Sequence, residues 1–295
     1  MKIIFMGSSD FAVKSLEAIL ADDFFTVTAV VTQPDKPKGR GYVLTPTPVK
    51  VVAVEHGIEV FTPNSLKNGE LQPILDEHKP DCIVVAAYGK ILPPYVLDYP
   101  KFGCINVHAS LLPAYRGAAP INFAIMNGEK VTGITTMYMD VGLDTGDMIY
   151  KAETPISDND NAETLHDRLA EMGGTLIIKT LHDLYDGKAP RIPQEGESSY
   201  ASMINDSVRR IDFNDTTEKI LNKIRGLSPI PSAYALINGK NTKIFKAEKI
   251  NAPENGKIVI KTADGYVRIT ELQPEGKKRM RDEDFLRGNK VNTVE

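Results

Sequence analysis

The N-terminal part of the chain alternates short apolar runs with segments of helical periodicity. The predicted strands are Lys2–Met6, Thr26–Thr32, Glu59–Thr62, Cys82–Ala87 and Cys104–His108, and the predicted helices are Ala12–Ala21 and Pro48–His56. Because a parallel strand pair needs a crossover segment, this alternation is typical of a parallel sheet covered by helices. Ligands of such open sheets bind beyond the carboxyl ends of the strands. We therefore look for functional residues at those ends.

The pattern changes in the second half of the chain. We predict further strands at Gly133–Met139 and Met148–Ile156, and then a long helix with Leu165, Leu169, Met172, Leu176 and Leu184 on or near one face. Residues 187–206 are rich in proline, glycine and serine and lack sustained periodicity. Beyond them we predict one short helix, Thr216–Arg225, and two hairpins.

The hairpins are marked by Asn238-Gly239 and Asp264-Gly265, since both dipeptides favour turns with positive φ. Two hairpins in this short segment predict a small antiparallel barrel. We therefore divide the chain into a catalytic domain at 1–188, a linker at 189–205 and a second domain at 206–295.

Composition limits the class of protein. The 295 residues are 42% hydrophobic, which is enough for a substantial core, and we find neither a signal peptide nor an apolar stretch long enough to cross a bilayer. The two cysteines, Cys82 and Cys104, have no ligand-like spacing, so we expect a reduced cytoplasmic protein without a metal site.

Charge is unevenly distributed along the chain. Residues 201–295 carry 18 Lys and Arg against 13 Asp and Glu, whereas residues 1–200 carry 17 against 26. A basic segment on an acidic protein favours contact with a polyanion, although an ordinary solvated surface fits the same counts.

Three polar residues suggest chemistry. Asn106 and His108 end an apolar run and share one face of a strand about 6.6 Å apart, and Asp144 lies in the glycine-rich turn DVGLDTGD. Asn106 can donate to an oxyanion, His108 can exchange protons near neutral pH, and Asp144 can fix the imidazole tautomer and stabilise its charged form. This set suits acyl transfer to an amine. Taken alone, the three residues are more typical of capping and of hydrogen bonds to neighbouring backbone groups than of catalysis.

The flanking sequence favours catalysis. The strings MKIIFMGSSDFA, TQPDKPKGRG, HASLLPAYRGAAPI, MDVGLDTGDM and ELQPEGKKRM occur in order along the whole chain. In these strings the chain resembles the folate-dependent formyltransferases. The resemblance implies a Rossmann-like domain followed by an OB-like barrel, with Asn106, His108 and Asp144 as catalytic residues. It also implies transfer of a formyl group from 10-formyltetrahydrofolate to the α-amino group of initiator methionyl-tRNA, without a metal.

The resemblance assigns the folate site to three segments. They supply Ile91 and Leu92, Ser110, Leu111, Leu112 and Pro113, and Asp140 and Val141. A pterin needs apolar walls with a few polar groups, which these loops can offer. Taken singly, each apolar loop is more typical of packing than of a pocket.

The polar loop Gln33–Tyr42 carries Lys36, Lys38 and Arg40, and in the family this insertion contacts the tRNA acceptor stem. On local sequence alone, a solvated loop is the favoured interpretation. Tyr42 and Val43 stand where relatives often carry lysines, which leaves the detailed contacts open. A second basic cluster, Lys277–Arg281, is another candidate RNA surface, and Ile230 stands where relatives often have tryptophan.

Two alternatives stay open at this point. One is formyl transfer to a small amine, as in glycinamide ribonucleotide formyltransferases, which share the Asn-x-His and Asp pattern but generally end after the catalytic domain. The other is an RNA-binding protein that retains an inactive formyltransferase domain. We favour the tRNA substrate because this chain adds a basic second domain and the TQPDKPKGRG insertion, and we expect it to act as a monomer.

Overall fold

The computed structural model describes residues 1–38 and 43–295 of the chain. These residues form two compact units. The N-terminal unit comprises Met1–Ala118, Gly133–Thr154 and Asp167–Tyr200, and the C-terminal unit comprises Ala119–Thr132, Pro155–His166 and Ala201–Glu295. The C-terminal unit thus includes two segments that precede residue 188, the end of the catalytic domain as predicted from sequence.

The strands are β1 Lys2–Gly7, β2 Thr26–Val31, β3 Lys36–Lys38, β4 Val43–Thr45, β5 Val60–Phe61, β6 Cys82–Ala86, β7 Cys104–His108, β8 Arg116–Gly117, β9 Val131–Tyr138, β10 Met148–Pro155, β11 Tyr200–Ala201, β12 Ala233–Ile237, β13 Lys240–Ile250, β14 Ile258–Lys261, β15 Tyr266–Pro274 and β16 Met280–Arg281. The helices are α1 Asp10–Leu20, α2 Pro48–Glu55, α3 Gln72–His78, α4 Pro94–Leu97, α5 Pro120–Met126, α6 Ala162–Tyr185, α7 Asp206–Arg209, α8 Thr217–Leu227 and α9 Asp282–Leu286. None of the helices within residues 1–38 and 43–295 is long and apolar enough to cross a membrane.

A seven-stranded sheet forms the centre of the N-terminal unit, in the order β10-β9-β7-β6-β1-β2-β5. The five strands from β7 to β5 pair in parallel, whereas β9 pairs antiparallel with β7. Every residue of β6 and β7 is buried, as expected for parallel strands that are covered on both faces. The predicted mixed α/β fold with a mostly parallel sheet is confirmed.

The predicted N-terminal strands and helices agree with the structure to within about two residues. Helices α3, α4 and α5 were not predicted from the sequence. Each has seven residues or fewer and a proline near its start, which is too short for a 3.6-residue period to stand out. Helix α2 begins after Thr47, whose hydroxyl accepts a hydrogen bond from the Lys50 amide at 3.2 Å.

The C-terminal unit contains a separate antiparallel sheet in the order β12-β13-β15-β14, with β16 paired to β15. Its apolar core brings helix α8, through Ile220 and Ile224, together with strand residues such as Ile244 and Ile269. The described pairings trace an open order of strands, so closure into an OB-like barrel remains a prediction. Helices α7 and α9 flank α8 in sequence, where only one helix was predicted.

The two predicted hairpins form, but with different turns. Asn238 and Gly239 have φ of 51° and 72°, as expected for a two-residue turn. The prediction of positive φ at Asp264-Gly265 was wrong, since neither residue has it. There the connection spans four residues, and the Asp264 carboxylate accepts hydrogen bonds from the amide and hydroxyl of Thr217 at 2.7 and 2.9 Å. This distant partner, rather than the dipeptide, sets the turn.

Candidate active site

Strand β7 carries Asn106 and His108 at its carboxyl end. Asn106 pairs in register with Val85 of β6 and Met137 of β9, and His108 pairs with Thr135 of β9. The two residues are 8% and 6% exposed, although both carry polar side chains. Since alternate residues of a strand share a face, both side chains lie on the same side of the sheet.

The Asp144 carboxylate meets both residues from the turn after β9. Asn106 Nδ2 donates to Asp144 Oδ1 at 3.5 Å, and His108 Nδ1 lies 3.7 Å from Oδ2. The backbone amide of Gly117 donates to the same Oδ2 at 2.8 Å. The three residues predicted from the sequence to be catalytic are therefore brought together around one carboxylate.

A backbone carbonyl fixes the tautomer of His108. Its Nε2 lies 2.9 Å from the Tyr115 carbonyl oxygen, and because a carbonyl only accepts, the Nε2 atom carries a hydrogen. The other ring nitrogen then faces the Asp144 carboxylate. A second proton placed on Nδ1 would lie against a negative charge, so this geometry suits a histidine that becomes positively charged during a reaction.

Three residues around these side chains adopt left-handed backbone conformations. They are Ala87 after β6, Tyr115 and Asp144, with φ of 43°, 59° and 54°. Non-glycine residues seldom adopt this region, and those that do cluster at functional sites. Only glycine fits at position 146 of the same turn, since a Cβ atom there would lie 2.0 Å from the Tyr138 carbonyl oxygen.

Sequence reasoning missed two residues that hold this turn. Gln194 Nε2 donates to the carbonyl oxygens of Asp144 and Gly146 at 2.8 and 2.9 Å. Arg116 donates to Gln194 Oε1 through Nε and Nη2 at 3.0 and 2.7 Å. Gln194 lies in the segment that composition predicts to be a linker, and no local pattern distinguishes it.

The eight predicted folate contacts divide into exposed and buried side chains. Ile91 and Val141 are both 72% exposed. Leu111 and Pro113 are half-buried, and Asp140 is exposed with its carboxylate accepting from the Gly142 amide and the Thr145 hydroxyl.

The other three predicted folate residues pack inside the protein. Leu92 belongs to the apolar core beneath the sheet, and Leu112 packs with Met137 and Met148. Ser110 is fully buried and its hydroxyl donates to the Ala114 carbonyl at 2.6 Å. These side chains therefore support their loops from inside instead of lining an open cleft.

The predicted tRNA residues are only partly described. Lys36 Nζ donates to Gln33 Oε1 at 2.7 Å, and Gln33 Nε2 donates to the Tyr88 carbonyl at 2.8 Å. The start of the polar loop is therefore joined to the loop that carries Ile91. Arg40 and the side chain of Lys38 lie outside the described residues.

Within residues 1–38 and 43–295, one group of side chains has the spacing of a metal site. Glu59, Glu77 and His78 bring potential ligand atoms within 4.8 Å of one another. None of the three belongs to the predicted catalytic set, so the chemistry proposed for Asn106, His108 and Asp144 does not draw on this group.

The chain matches two family models in succession. Residues 1–181 match formyl transferase, and residues 203–290 match the formyl transferase C-terminal domain. A methionyl-tRNA formyltransferase from Ruminiclostridium cellulolyticum is 48% identical over 310 residues, covering 100% of this chain and 99% of the relative. The chain belongs to the methionyl-tRNA formyltransferase family. The resemblance noted in the sequence is thus confirmed.

Solved structures support the formyltransferase fold. The N-formyltransferase of Helicobacter canadensis, in complex with folinic acid and dTDP-3-aminofucose, aligns with a TM-score of 0.67 at 25% identity, covering 95% of this chain and 100% of that one. HypX of Aquifex aeolicus, in complex with tetrahydrofolic acid, aligns with a TM-score of 0.65 at 18% identity and covers 97% of this chain. The chain spans about half the length of HypX, 47%, and this likeness concerns the fold alone.

Proposed function

We propose that this chain transfers the formyl group of 10-formyltetrahydrofolate to the α-amino group of methionyl-initiator-tRNA. The product, N-formylmethionyl-tRNA, serves translation initiation. One observation carries the proposal: Asn106 and His108 meet the Asp144 carboxylate at 3.5 and 3.7 Å, at the carboxyl end of β7, in a chain collinear with methionyl-tRNA formyltransferases.

The reaction needs an oxyanion donor and a proton carrier. The α-amino nitrogen bonds to the formyl carbon and loses a proton, while the bond from that carbon to folate N10 breaks and N10 gains a proton. Asn106 Nδ2 has two hydrogens, and since only one points toward Asp144, the other can donate to the developing oxyanion. His108 in its charged form adds a second donor, which carries a positive charge and is stabilised by Asp144.

The folate lies against the exposed apolar side chains beside this site. Ile91 and Val141, both 72% exposed, supply apolar contact to a flat ring, with Leu111 and Pro113 beside them. Leu92, Leu112 and Ser110 act indirectly, because they are buried and hold the backbone of the same loops. Asp140 acts in the same way through its hydrogen bonds to Gly142 and Thr145.

The polar loop contributes to tRNA binding. In this proposal Lys36, Lys38 and Arg40 contact phosphates near the end of the acceptor stem, where three cations within five residues offer a compact positive charge. The chain acts as a cytoplasmic monomer with a catalytic domain at 1–188, a linker at 189–205 and an RNA-binding domain at 206–295. Light scattering of the purified protein tests the monomer.

A transfer assay tests the function directly. The purified chain is incubated with labelled 10-formyltetrahydrofolate and, in parallel, with initiator methionyl-tRNA, elongator methionyl-tRNA or glycinamide ribonucleotide. We expect label on initiator methionyl-tRNA, and a loss of about 10²-fold or more for Asn106→Ala and His108→Ala. Transfer to glycinamide ribonucleotide but not to tRNA would favour the small-amine alternative, and tRNA binding without transfer would favour an inactive RNA-binding protein.

The acceptor-stem contact has its own test. Because Arg40 is proposed to bind tRNA phosphates and not folate, Arg40→Ala should raise the apparent KM for methionyl-tRNA several-fold and leave the KM for 10-formyltetrahydrofolate within about twofold. Lys151→Ala, which removes a cation from an exposed position of β10 outside the proposed RNA-binding domain, serves as the matched control. Equal changes in both KM values for Arg40→Ala would argue against the contact.

A further inference from the structure

We infer that Gln194 and Ser199, at the two ends of residues 194–199, here called the clamp segment, position both acid–base partners of the active site. Gln194 acts on Asp144, and Ser199 acts on His108 through Tyr115. Neither side chain is placed here against substrate, so both are positioning residues. The inference rests on the proposed function and extends it to a segment that composition alone predicts to be a linker.

Gln194 uses its whole amide group at the Asp144 turn. Its two N–H groups serve two carbonyl oxygens, those of Asp144 and Gly146, at 2.8 and 2.9 Å. Its oxygen accepts two N–H groups of the Arg116 guanidinium. Because a guanidinium only donates, Arg116 fixes which end of the amide faces the turn.

These contacts bear on a strained position. Asp144 has φ of 54°, and a residue in this region relaxes toward an ordinary conformation unless its surroundings hold it. The two bonds from Gln194 hold the carbonyl of Asp144 itself and the carbonyl two residues later. Without them, the turn loses two of the hydrogen bonds that keep the carboxylate beside Asn106 and His108, and the Gly117 amide remains as its backbone donor.

Ser199 reaches His108 by a different route. Its hydroxyl accepts the Tyr115 amide at 2.9 Å, and its carbonyl accepts the Arg116 amide at 2.8 Å. Tyr115 also has a left-handed φ, 59°, and its carbonyl is the group that fixes His108 Nε2 at 2.9 Å. The Ser199 hydroxyl therefore holds the amide of the left-handed Tyr115. The Ser199 carbonyl holds the next peptide, Tyr115–Arg116, whose carbonyl sets the imidazole tautomer and orientation.

The two routes join in residues 115–117. The Tyr115 carbonyl contacts His108, the Arg116 side chain contacts Gln194, and the Gly117 amide contacts Asp144 Oδ2. The clamp segment lies against this stretch through hydrogen bonds at both of its ends. A displacement of about 1 Å at a catalytic group can lower a rate by about 10²-fold. The clamp segment can therefore affect the reaction rate without touching the substrate.

The test replaces Gln194 by Glu. This change keeps the size of the side chain and its acceptor for Arg116, but it places a carboxylate oxygen against the carbonyls of Asp144 and Gly146. We expect the single-turnover formylation rate to fall by about tenfold or more, with both apparent KM values within about twofold. Glu197→Gln, an exposed change in the same segment, should leave rate and KM unchanged.

A double-mutant cycle separates positioning from general damage. If Gln194 acts through Asp144, then Gln194→Glu should lower the residual rate of Asp144→Asn by less than about twofold. In the same way, Ser199→Ala should slow the wild type but not His108→Ala, and Ser199→Thr, which keeps the hydroxyl, should restore most of the rate. Gln194→Met repeats the measurement if Gln194→Glu does not fold.

The outcomes distinguish the two proposals. A wild-type chain that forms no N-formylmethionyl-tRNA overturns the proposed function. An active wild type whose Gln194→Glu and Gln194→Met variants keep the full single-turnover rate overturns the clamp. So does an equal loss from Gln194→Glu in the wild-type and Asp144→Asn backgrounds, because that result means a loss unrelated to the carboxylate.

Discussion

Replacing Asp144 by Asn and by Ala separates the charge of this side chain from the conformation of its backbone. At φ of 54°, a non-glycine residue is strained, but Asn adopts the left-handed region more readily than most residues. Ala has no side-chain group to stabilise that conformation, which costs roughly 1–2 kcal/mol. Asp144→Asn therefore removes the charge and largely keeps the turn, whereas Asp144→Ala loses both.

The loss of rate expected for Asp144→Asn follows from one distance. Asp144 Oδ2 lies 3.7 Å from His108 Nδ1, and both side chains are mostly buried, with 14% and 6% exposed. Two unit charges at about 4 Å attract by about 4 kcal/mol at an effective dielectric constant of about 20. Residual solvation of the pair lowers this value. We therefore expect Asp144→Asn to lose about 10²- to 10³-fold in rate, within the usual range for acid–base groups.

The magnitude for stability is smaller. The Gly117 amide donates to the carboxylate at 2.8 Å, and a hydrogen bond to a charged group contributes about 1.5–3 kcal/mol against about 1 kcal/mol for a neutral one. An Asn oxygen can still accept this bond, so Asp144→Asn should lower the free energy of unfolding by roughly 1 kcal/mol. Asp144→Ala should lower it by roughly 2–4 kcal/mol, because the bond is lost and the left-handed strain is added.

Two measurements check this reasoning. Single-turnover formylation with enzyme in excess reports the chemical step, and urea unfolding reports the stability of each variant. The electrostatic argument is refuted if folded Asp144→Asn keeps more than about a third of the wild-type rate, since that allows less than about 1 kcal/mol for the pair. Equal stability of the Asn and Ala variants would instead refute the argument from the backbone.

Three further predictions concern stability and reactivity. Hydrogen bonds from the Thr217 amide and hydroxyl lower the pKa of Asp264 below its ordinary 3.8. The carboxylate therefore stabilises the fold above about pH 4, and this contribution is lost as the pH falls through the lowered pKa. In urea unfolding, Asp264→Asn should be less stable than wild type at pH 7, and the difference should shrink below pH 3.8. Burial raises the pKa of Cys104 to about 12 and that of Cys82 well above 9.0. Iodoacetamide at pH 8 should therefore label less than about a tenth of a thiol per folded chain, but both thiols in denaturant. Rapid labelling of the folded chain would contradict this. Arg268 Nε pairs at 3.0 Å with Asp282, which is 2% exposed, so Arg268→Met should lower the free energy of unfolding by about 3–5 kcal/mol. Adding Asp282→Asn should restore part of this loss. A loss below about 1 kcal/mol for Arg268→Met would mean that the carboxylate is solvated.

Hydrophobic patterns along the sequence made most of the fold predictable. Strand β7 could be predicted because Cys104, Ile105 and Val107 form a short run after Gly103, in a chain that alternates such runs with helical segments. Helix α6 could be predicted because it spans 24 residues. The conformation at Asp264-Gly265 could not, since it depends on hydrogen bonds to a residue 47 positions earlier in the chain. The dipeptide indicates that a hairpin forms there, but the type of turn cannot be predicted from it.

The candidate site also contains residues that could be predicted from the sequence and residues that could not. Asn106 and His108 could be placed on one face from their spacing, and Asp144 could be added from a family motif, because the reaction restricts which side chains can donate, accept or carry a proton. Gln194 and Ser199 could not be found, since they bind backbone carbonyls and amides, which every residue offers. Positioning through the backbone therefore leaves no mark in residue type or spacing. For that reason the clamp segment has the composition of a linker even though its contacts reach both acid–base partners.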